Sequence, residues 1–198
     1  MSDVHEEAAR WSRGDREADY YETFLRRSAA NPLAQHGDGP LNKVLKPEDM
    51  PWELSRQGLI KHMLNADLAD EFDFPGKGTD LYMQVVPPGS RSGKHRHMGE
   101  EVVFVLEGSG YDHHWDTDIE LVSTEEVRFV VDEEPKRFDY RAGDAVYVPT
   151  NTVHQHVNDG DEPLRFISAQ ARAYTNLGYG YEDLEQFENA PEYDSQFE

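Results

Sequence analysis

Two short segments of this chain place histidine, glutamate, glycine and proline at fixed spacings, and this pattern constrains the fold more than any other feature. The first segment contains, at intervals of five, one, three and six residues, Gly89, His95, His97, Glu101 and Gly108. The second contains, at intervals of five, four and three residues, Gly143, Pro149, His154 and Asn158. Three imidazoles and one carboxylate form a ligand set for a first-row transition metal.

Strand periodicity indicates how these side chains can meet. Side chains alternate across a β-strand, so His95 and His97 are expected to project from one face. Glu101 follows a short turn and begins an apolar run that is typical of a buried strand. Two further strands are predicted on either side of Pro149, joined by a tight turn, and the later one carries His154. If these strands line one barrel, the four groups can converge on a single ion.

The ligand types leave the identity of the metal open. Neutral imidazole and carboxylate suit iron, manganese, nickel, copper or zinc. The four side chains occupy four coordination positions, so an octahedral ion keeps two positions for substrate, dioxygen or water. Such an open site favours catalysis over a purely structural role.

Both segments resemble the two motifs of the cupin superfamily. All five marked positions of the first motif match; the second departs from it once, because Asn151 stands where the family usually has glycine. Asparagine tolerates a positive φ better than most residues, so the turn is expected to survive. The resemblance implies an all-β fold, with a single cupin barrel of the jelly-roll (double-stranded β-helix) type. It also implies that the metal ligands are His95, His97, Glu101 and His154.

The superfamily includes dioxygenases, and the run from 95 to 110 is similar to the corresponding stretch of gentisate-type enzymes. The resemblance implies a three-histidine site in the gentisate-type enzymes, whereas Glu101 gives this chain a set of four ligands. The similarity to cupin dioxygenases as a group implies a non-haem dioxygenase that uses Fe²⁺ and cleaves a hydroxylated aromatic or similar oxygen-chelating substrate. Mn²⁺, Ni²⁺, Zn²⁺ and Cu²⁺ are the alternative metals.

Two other functions fit the same residues. One is a lyase, decarboxylase or isomerase in which the metal polarises a carbonyl or carboxylate as a Lewis acid. The other is a cupin that binds a small molecule without turnover.

Three residues beyond the ligands are candidates for catalysis. His156 has the strand parity of His154, so it is expected to point into the barrel as a proton relay, or to pack in the core as an ordinary histidine. Tyr82 and Gln84 share one face of an earlier strand, and an inward Gln84 could hold substrate or dioxygen. His113 and His114 are adjacent, so only one of them can face the barrel.

Composition limits the partners and the location. The 198 residues suit one domain, and 40 acidic against 19 basic residues give a formal charge of −21. Such a surface disfavours nucleic acid and anionic membranes as partners. The resemblance to cupins implies a small-molecule substrate and dioxygen as partners. The absence of cysteine excludes disulfides and thiol nucleophiles. The first residues lack a basic and then apolar segment, so we expect a cytoplasmic protein.

The chain divides into three predicted parts. Residues 1–58 are predicted as a helical arm and a proline-rich lead-in that wraps the barrel, and the arm offers contacts for a homodimer. Residues 59–172 are predicted as the barrel, with first strands at 59–64 and 81–86. Residues 173–198 are predicted as an acidic extension with a short helix near 182–188.

Between the two motifs lies an insertion of residues 109–142. It is predicted to contain strands at 111–116, 127–131 and 137–140. The last two were expected to form a hairpin that extends the sheet, with the possibility of a lid over the barrel mouth.

Overall fold

A computed structural model of the chain describes residues 17–22, 44–72, 78–124, 126–173 and 184–197. Most of the predicted N-terminal arm, at 1–30, and the first part of the lead-in lie outside these residues. Within the described part, no helix is long and apolar enough to span a membrane.

The fold is all-β, as predicted, and two facing sheets carry almost all of it. One sheet has six strands in the order β1-β2-β3-β12-β5-β10, and the other has five in the order β13-β4-β11-β6-β9. The strands of the first sheet are Trp52–Ser55 (β1), Gly58–Leu64 (β2), Thr79–Val86 (β3), Glu101–Glu107 (β5), Ala145–Val148 (β10) and Leu164–Ala171 (β12). The strands of the second are Lys94–His97 (β4), Ser109–Trp115 (β6), Lys136–Arg141 (β9), Val153–Val157 (β11) and Leu184–Glu188 (β13). The predicted barrel is thus a two-sheet jelly roll, and neighbouring strands within each sheet pair antiparallel.

Helices are few and short. A 3₁₀ turn spans Pro47–Asp49, helix α1 spans Ala66–Glu71, and helix α2 spans Pro191–Asp194. Asn65 caps α1, because its side-chain oxygen accepts the backbone N–H of Leu68 at 2.8 Å. The predicted strands at 59–64 and 81–86 are confirmed, and the six-stranded sheet begins earlier, at Trp52.

Both sheets contribute side chains to the hydrophobic core. Six buried side chains form it: Val86, Val103, Val105, Tyr140, Leu164 and Phe166. Burial of each large apolar side chain contributes about 1.5–3 kcal/mol, so this cluster can stabilise the sheets without help from a metal.

The pairing of the insertion differs from the prediction. The strands at 127–131 and 136–141 exist, but they do not pair with each other. Strand β8 (Val127–Val131) pairs with β7 (Thr117–Leu121) in a separate two-stranded sheet, whereas β9 pairs with β6. Strand β7 was missed because four of its five side chains are exposed, which leaves no buried face for the sequence pattern to reveal.

The prediction of a helix near 182–188 was wrong. Within the described residues, 184–188 form the edge strand β13, which pairs with β4. Glu185 lies opposite Arg96 in this pairing, and its carboxylate accepts two hydrogen bonds from that guanidinium, at 2.9 and 3.2 Å. The acidic residues that favour a helix are held in a strand by this basic partner. The C-terminal helix exists, but it begins only at Pro191.

Candidate metal centre

The predicted ligands come from both sheets. His95 and His97 lie on β4 in the five-stranded sheet, and His95 is the direct cross-strand partner of His154 on β11. Glu101 is the first residue of β5 in the six-stranded sheet. All four side chains are buried, and one ligand atom from each lies within 4.8 Å of the others. Among the described residues, this is the one group of three or more such side chains whose ligand atoms all lie this close together.

Turns at the motif glycines place these strands. Gly89, Gly108 and Gly143 have φ angles of 70°, 79° and 93°, in the region that side chains disfavour. Asn151 has a φ of 60°, which confirms the prediction that asparagine can replace glycine in the second motif. Its backbone N–H donates to the carbonyl of His97 at 2.9 Å, so this turn is tied directly to a ligand strand.

The three imidazoles are close to one another. The ring centroids of His95 and His154 are 4.2 Å apart, those of His97 and His154 are 4.9 Å apart, and those of His95 and His97 are 5.3 Å apart. The carboxylate of Glu101 lies close to two of these rings, those of His97 and His154.

Backbone carbonyls determine which ring nitrogen of each histidine carries hydrogen. The Nδ1 atoms of His97, His154 and His95 lie 2.7, 3.0 and 3.4 Å from the carbonyl oxygens of Gly99, Thr152 and Gly93. A carbonyl can only accept, so each Nδ1 is the donor, and a neutral ring then presents a lone pair on Nε2. The three Nε2 lone pairs point into the same buried space.

This arrangement is unfavourable without a cation between the groups. The Nε2 atom of His97 lies 2.7 Å from Oε2 of Glu101, and that of His154 lies 3.4 Å from the same oxygen. Among the described residues, Nε2 of His154 has no hydrogen-bond partner. A divalent metal would replace the repulsion between these lone pairs with four coordinate bonds. The residues therefore fit a metal on chemical grounds.

Electrostatics keep the ligands in the forms that bind metal. Burial lowers the pKa of His95 well below its usual value, and the neighbouring His154 and His97 lower it further. Burial also lowers the pKa of His97, although Glu101 opposes this effect. Burial acts to raise the pKa of Glu101, but His154 and His97 lower it well below the usual range. At neutral pH the neutral imidazoles of His95 and His97 therefore lie beside an ionised Glu101 carboxylate.

Two hydroxyls hold the carboxylate in place. Oε1 of Glu101 accepts hydrogen bonds from Tyr82, at 3.0 Å, and from Ser168. Oε2 is left facing the histidines. The Tyr82 hydroxyl thus points inward and contacts a predicted ligand, whereas strand parity predicted only that Tyr82 and Gln84 share one face.

Gln84 also points inward, and its amide is engaged. Its side-chain nitrogen donates to the backbone carbonyl of Gln57 at 2.5 Å, while its Oε1 is buried without a partner among the described residues. His114 is the member of the His113–His114 pair that faces the interior, since His114 is buried and His113 is only partly so.

A second buried cluster lies beside the predicted ligands, centred on Asp112. Its Oδ1 contacts Nδ1 of His156 at 2.6 Å and accepts the hydroxyl of Tyr140 at 2.8 Å. Nε2 of His114 lies 3.4 Å from its Oδ2. Burial opposes a charge on His156, but Asp112 outweighs it and raises the pKa of His156 above its usual value. His156 is inward, as predicted, and within the described residues its Nε2 has no hydrogen-bond partner.

Asp112 and Tyr140 were not among the predicted site residues. Strand parity carried a usable signal for one of them, because Asp112 and His114 alternate along one strand and must share a face. Tyr140 lies in the hydrophobic core cluster, and its sequence context does not distinguish it from a packing residue.

Comparison with known proteins gives three similarities. A family model described as "Cupin domain" matches residues 112–169. An uncharacterized protein of Methanocaldococcus jannaschii is 25% identical over 138 residues, which is 68% of this chain and 91% of that protein. Auxin-binding protein 1 of Arabidopsis thaliana is 30% identical over 107 residues, covering 54% of this chain and 48% of that protein.

Among solved structures, oxalate decarboxylase from Bacillus subtilis is similar, with a TM-score of 0.43 and 23% identity. The match covers 59% of this chain and 26% of that chain. The chain thus spans about a quarter of oxalate decarboxylase and about half of auxin-binding protein 1.

Proposed function

The chain belongs to the cupin superfamily, and on that premise we propose that it is a metal-dependent enzyme, specifically a non-haem iron dioxygenase. The proposed substrate is a small molecule, such as a hydroxylated aromatic, that binds the metal through oxygen. The observation that carries the proposal is the convergence of three Nε2 lone pairs and one carboxylate oxygen in a buried space.

The proposed metal is held by His95, His97, Glu101 and His154. Divalent iron bound there would supply dioxygen chemistry, and manganese, nickel, zinc or copper accept the same ligand types. The chain's own contribution is to keep His95 and His97 neutral and to fix the tautomers of all three histidines through backbone carbonyls. Tyr82 and Ser168 orient the carboxylate. Such supporting contacts tune a metal site as much as the ligands do.

The roles of the other candidates follow from their contacts. Tyr82 is a positioning residue, because its hydroxyl acts through Glu101. His156 is the proposed proton carrier, since Asp112 fixes its Nδ1 and leaves Nε2 directed away from that carboxylate. Gln84 offers a buried carbonyl oxygen that could accept a hydrogen bond from a ligand.

A second candidate function is a lyase, decarboxylase or isomerase that consumes no dioxygen. The buried Asp112–His156 pair favours it, because a carboxylate that orients an imidazole is a common arrangement for general acid–base catalysis. In this case the metal would act as a Lewis acid and His156 would move the proton. The similarity to a protein named for auxin binding supports a third candidate, a binding protein without turnover.

One experiment separates the three functions. The purified protein is stripped with a chelator, reloaded with Fe²⁺ or Mn²⁺, and screened against dihydroxy-aromatic and simple carboxylic acids in an oxygen electrode and in sealed anaerobic vials. Oxygen uptake that depends on Fe²⁺ supports the dioxygenase. Product formed without oxygen supports the non-oxidative enzyme, and ligand binding without product supports the binding protein.

We also propose that the protein is a homodimer that associates through the outer face of the six-stranded sheet. Val102 and Phe104 on β5 are 46% exposed, and Tyr147 on the adjacent edge strand β10 is 53% exposed. In a chain with a net charge of −21, two copies repel each other over most of their surface. An apolar sheet face of this kind is where a second copy can approach at low electrostatic cost.

A further inference from the structure

A cavity opens beside His95 and His97, and its lining defines what it can bind. Its apolar part comprises Ile60, Leu64, Leu81 and Leu184. Its polar part includes Gln57, Gln170 and Arg172. A ligand in this cavity can therefore contact both the predicted ligand histidines and aliphatic side chains.

Two buried amide atoms in this lining lack partners. Among the described residues, Nε2 of Gln170 and Oε1 of Gln57 have no hydrogen-bond partner, although the two residues are only 4% and 2% exposed. Gln170 lies on β12 as the cross-strand partner of Glu101, so it is next to the predicted metal. An unpaired buried donor costs roughly 1–3 kcal/mol, and a ligand oxygen at this point would remove that cost.

The charges around the cavity favour a ligand with one negative charge. The two charged groups of the lining, Arg172 and Asp80, pair with each other at 2.9 Å. Histidine binds a metal as neutral imidazole, so a divalent ion held by the three histidines and the Glu101 carboxylate would have a net charge of +1. A monoanion balances this charge, whereas a dianion leaves an excess negative charge in a buried space and a neutral ligand leaves the positive charge uncompensated.

From these observations we propose that the cavity binds a small monocarboxylic acid. Its carboxylate lies beside the metal position and accepts a hydrogen bond from Gln170, and its aliphatic or aromatic body packs against Ile60, Leu81 and Leu184. This inference rests on the proposed metal-dependent function and narrows its substrate class. It assigns Gln170, which lies outside both motifs, the role of recognising the ligand's carboxylate.

The test uses protein loaded with Co²⁺, whose visible absorption responds to its ligands. The protein is titrated with butyrate, with the neutral butyramide, and with the dianion succinate, all of the same chain length. We expect butyrate to bind at least about 10-fold more tightly than either of the others, because a hydrogen bond to a charged group is worth roughly 1.5–3 kcal/mol. We expect the chelator-stripped protein to bind none of them measurably.

Variants at Gln170 test its role directly. Gln170→Leu should weaken butyrate binding about 10-fold, and Gln170→Glu, of similar shape, should abolish it by repulsion. Gln155→Leu is the matched control, since Gln155 is a buried glutamine whose amide is already bonded to the carbonyl of Ser92 at 2.9 Å. Gln170→Leu should keep its Co²⁺ content and should not lower the unfolding temperature, because it removes an unpaired buried amide.

The outcomes distinguish this inference from the proposal on which it rests. Equal affinity for butyrate and butyramide, or unchanged butyrate affinity in both Gln170 variants, would overturn the inference and leave the metal site standing. A protein that binds Co²⁺ but no butyrate would do the same. Failure of the wild-type protein to retain Co²⁺ would overturn both.

Discussion

His95 and His154 are direct cross-strand partners on β4 and β11, and their ring centroids lie 4.2 Å apart. Each ring turns its Nδ1 toward a backbone carbonyl, so both Nε2 atoms face inward. The pairing joins one histidine from each motif. It explains why two distant segments of the sequence form one site.

Loss of a single imidazole should weaken metal binding without unfolding the protein. We expect His154→Ala to reduce metal affinity by more than the roughly 10- to 100-fold that loss of an outer-shell contact costs. The core cluster is separate from the ligands, so circular dichroism should show an unchanged sheet content. His113→Ala is the control, because His113 is only partly buried and lies on the face of β6 opposite to the inward His114. Full metal content in His154→Ala would show that His154 is not a ligand.

The hydroxyl of Tyr82 should matter for metal affinity through Glu101. We expect Tyr82→Phe to weaken metal binding by about 10-fold, since Glu101 loses one of the two hydroxyls on Oε1. Tyr147→Phe is a matched control, because the hydroxyl of Tyr147 bonds the exposed Glu100 at 2.7 Å. Competition with a metallochromic indicator measures both affinities. Equal metal affinities in the two variants would show that the Tyr82 hydroxyl does not support metal binding.

Asp112 should stabilise the fold as well as the site. Three buried groups contact its carboxylate, so Asp112→Asn leaves His156 without its anion and should lower the free energy of unfolding by about 3–5 kcal/mol. The exposed Asp139, paired with Arg137, provides the control substitution to asparagine, for which we expect a loss of about 0–1 kcal/mol. Urea unfolding of both variants checks the difference. A loss in Asp112→Asn no larger than in the control would mean that the cluster is not stabilising.

The proposed dimer should depend on the outer face of β5. We expect Val102→Glu to convert a dimer into a monomer, because it places a buried charge at the interface. Val130→Glu is the matched control, since Val130 is 39% exposed on the separate β7–β8 sheet, against 46% for Val102. Light scattering at several protein concentrations gives the mass of each. A dimeric Val102→Glu, or a monomeric wild type, would contradict the proposal.

The sequence predicted the site better than the edges of the fold. The four proposed ligands could be selected from the sequence because β-alternation and the motif glycines fix their faces. The positive φ angles of Gly89, Gly143 and Asn151 confirm that the turns follow the motifs. Strand β13 was mistaken for a helix because the acidic residues of the segment favour that prediction locally, while its pairing with β4 depends on a distant Arg96. A local pattern cannot contain that contact.

The polar groups that the sequence did not predict were missed for a different reason. Gln57 and Gln170 belong to no motif, and their importance comes from unpaired amide atoms that only the packing reveals. Asp112 lies in the same strand as His113 and His114, and in a sequence pattern histidines are the more obvious candidates for a site. In each case the deciding quantity is a hydrogen-bond partner in three dimensions.

The most direct test of the metal centre is X-ray absorption at the zinc edge of protein reloaded with one equivalent of Zn²⁺. We predict a spectrum with three imidazoles and one carboxylate oxygen at about 2.0–2.2 Å, and a loss of one imidazole in His154→Ala. Fewer than three imidazoles in the wild-type spectrum, or the same spectrum in His154→Ala, would contradict the account.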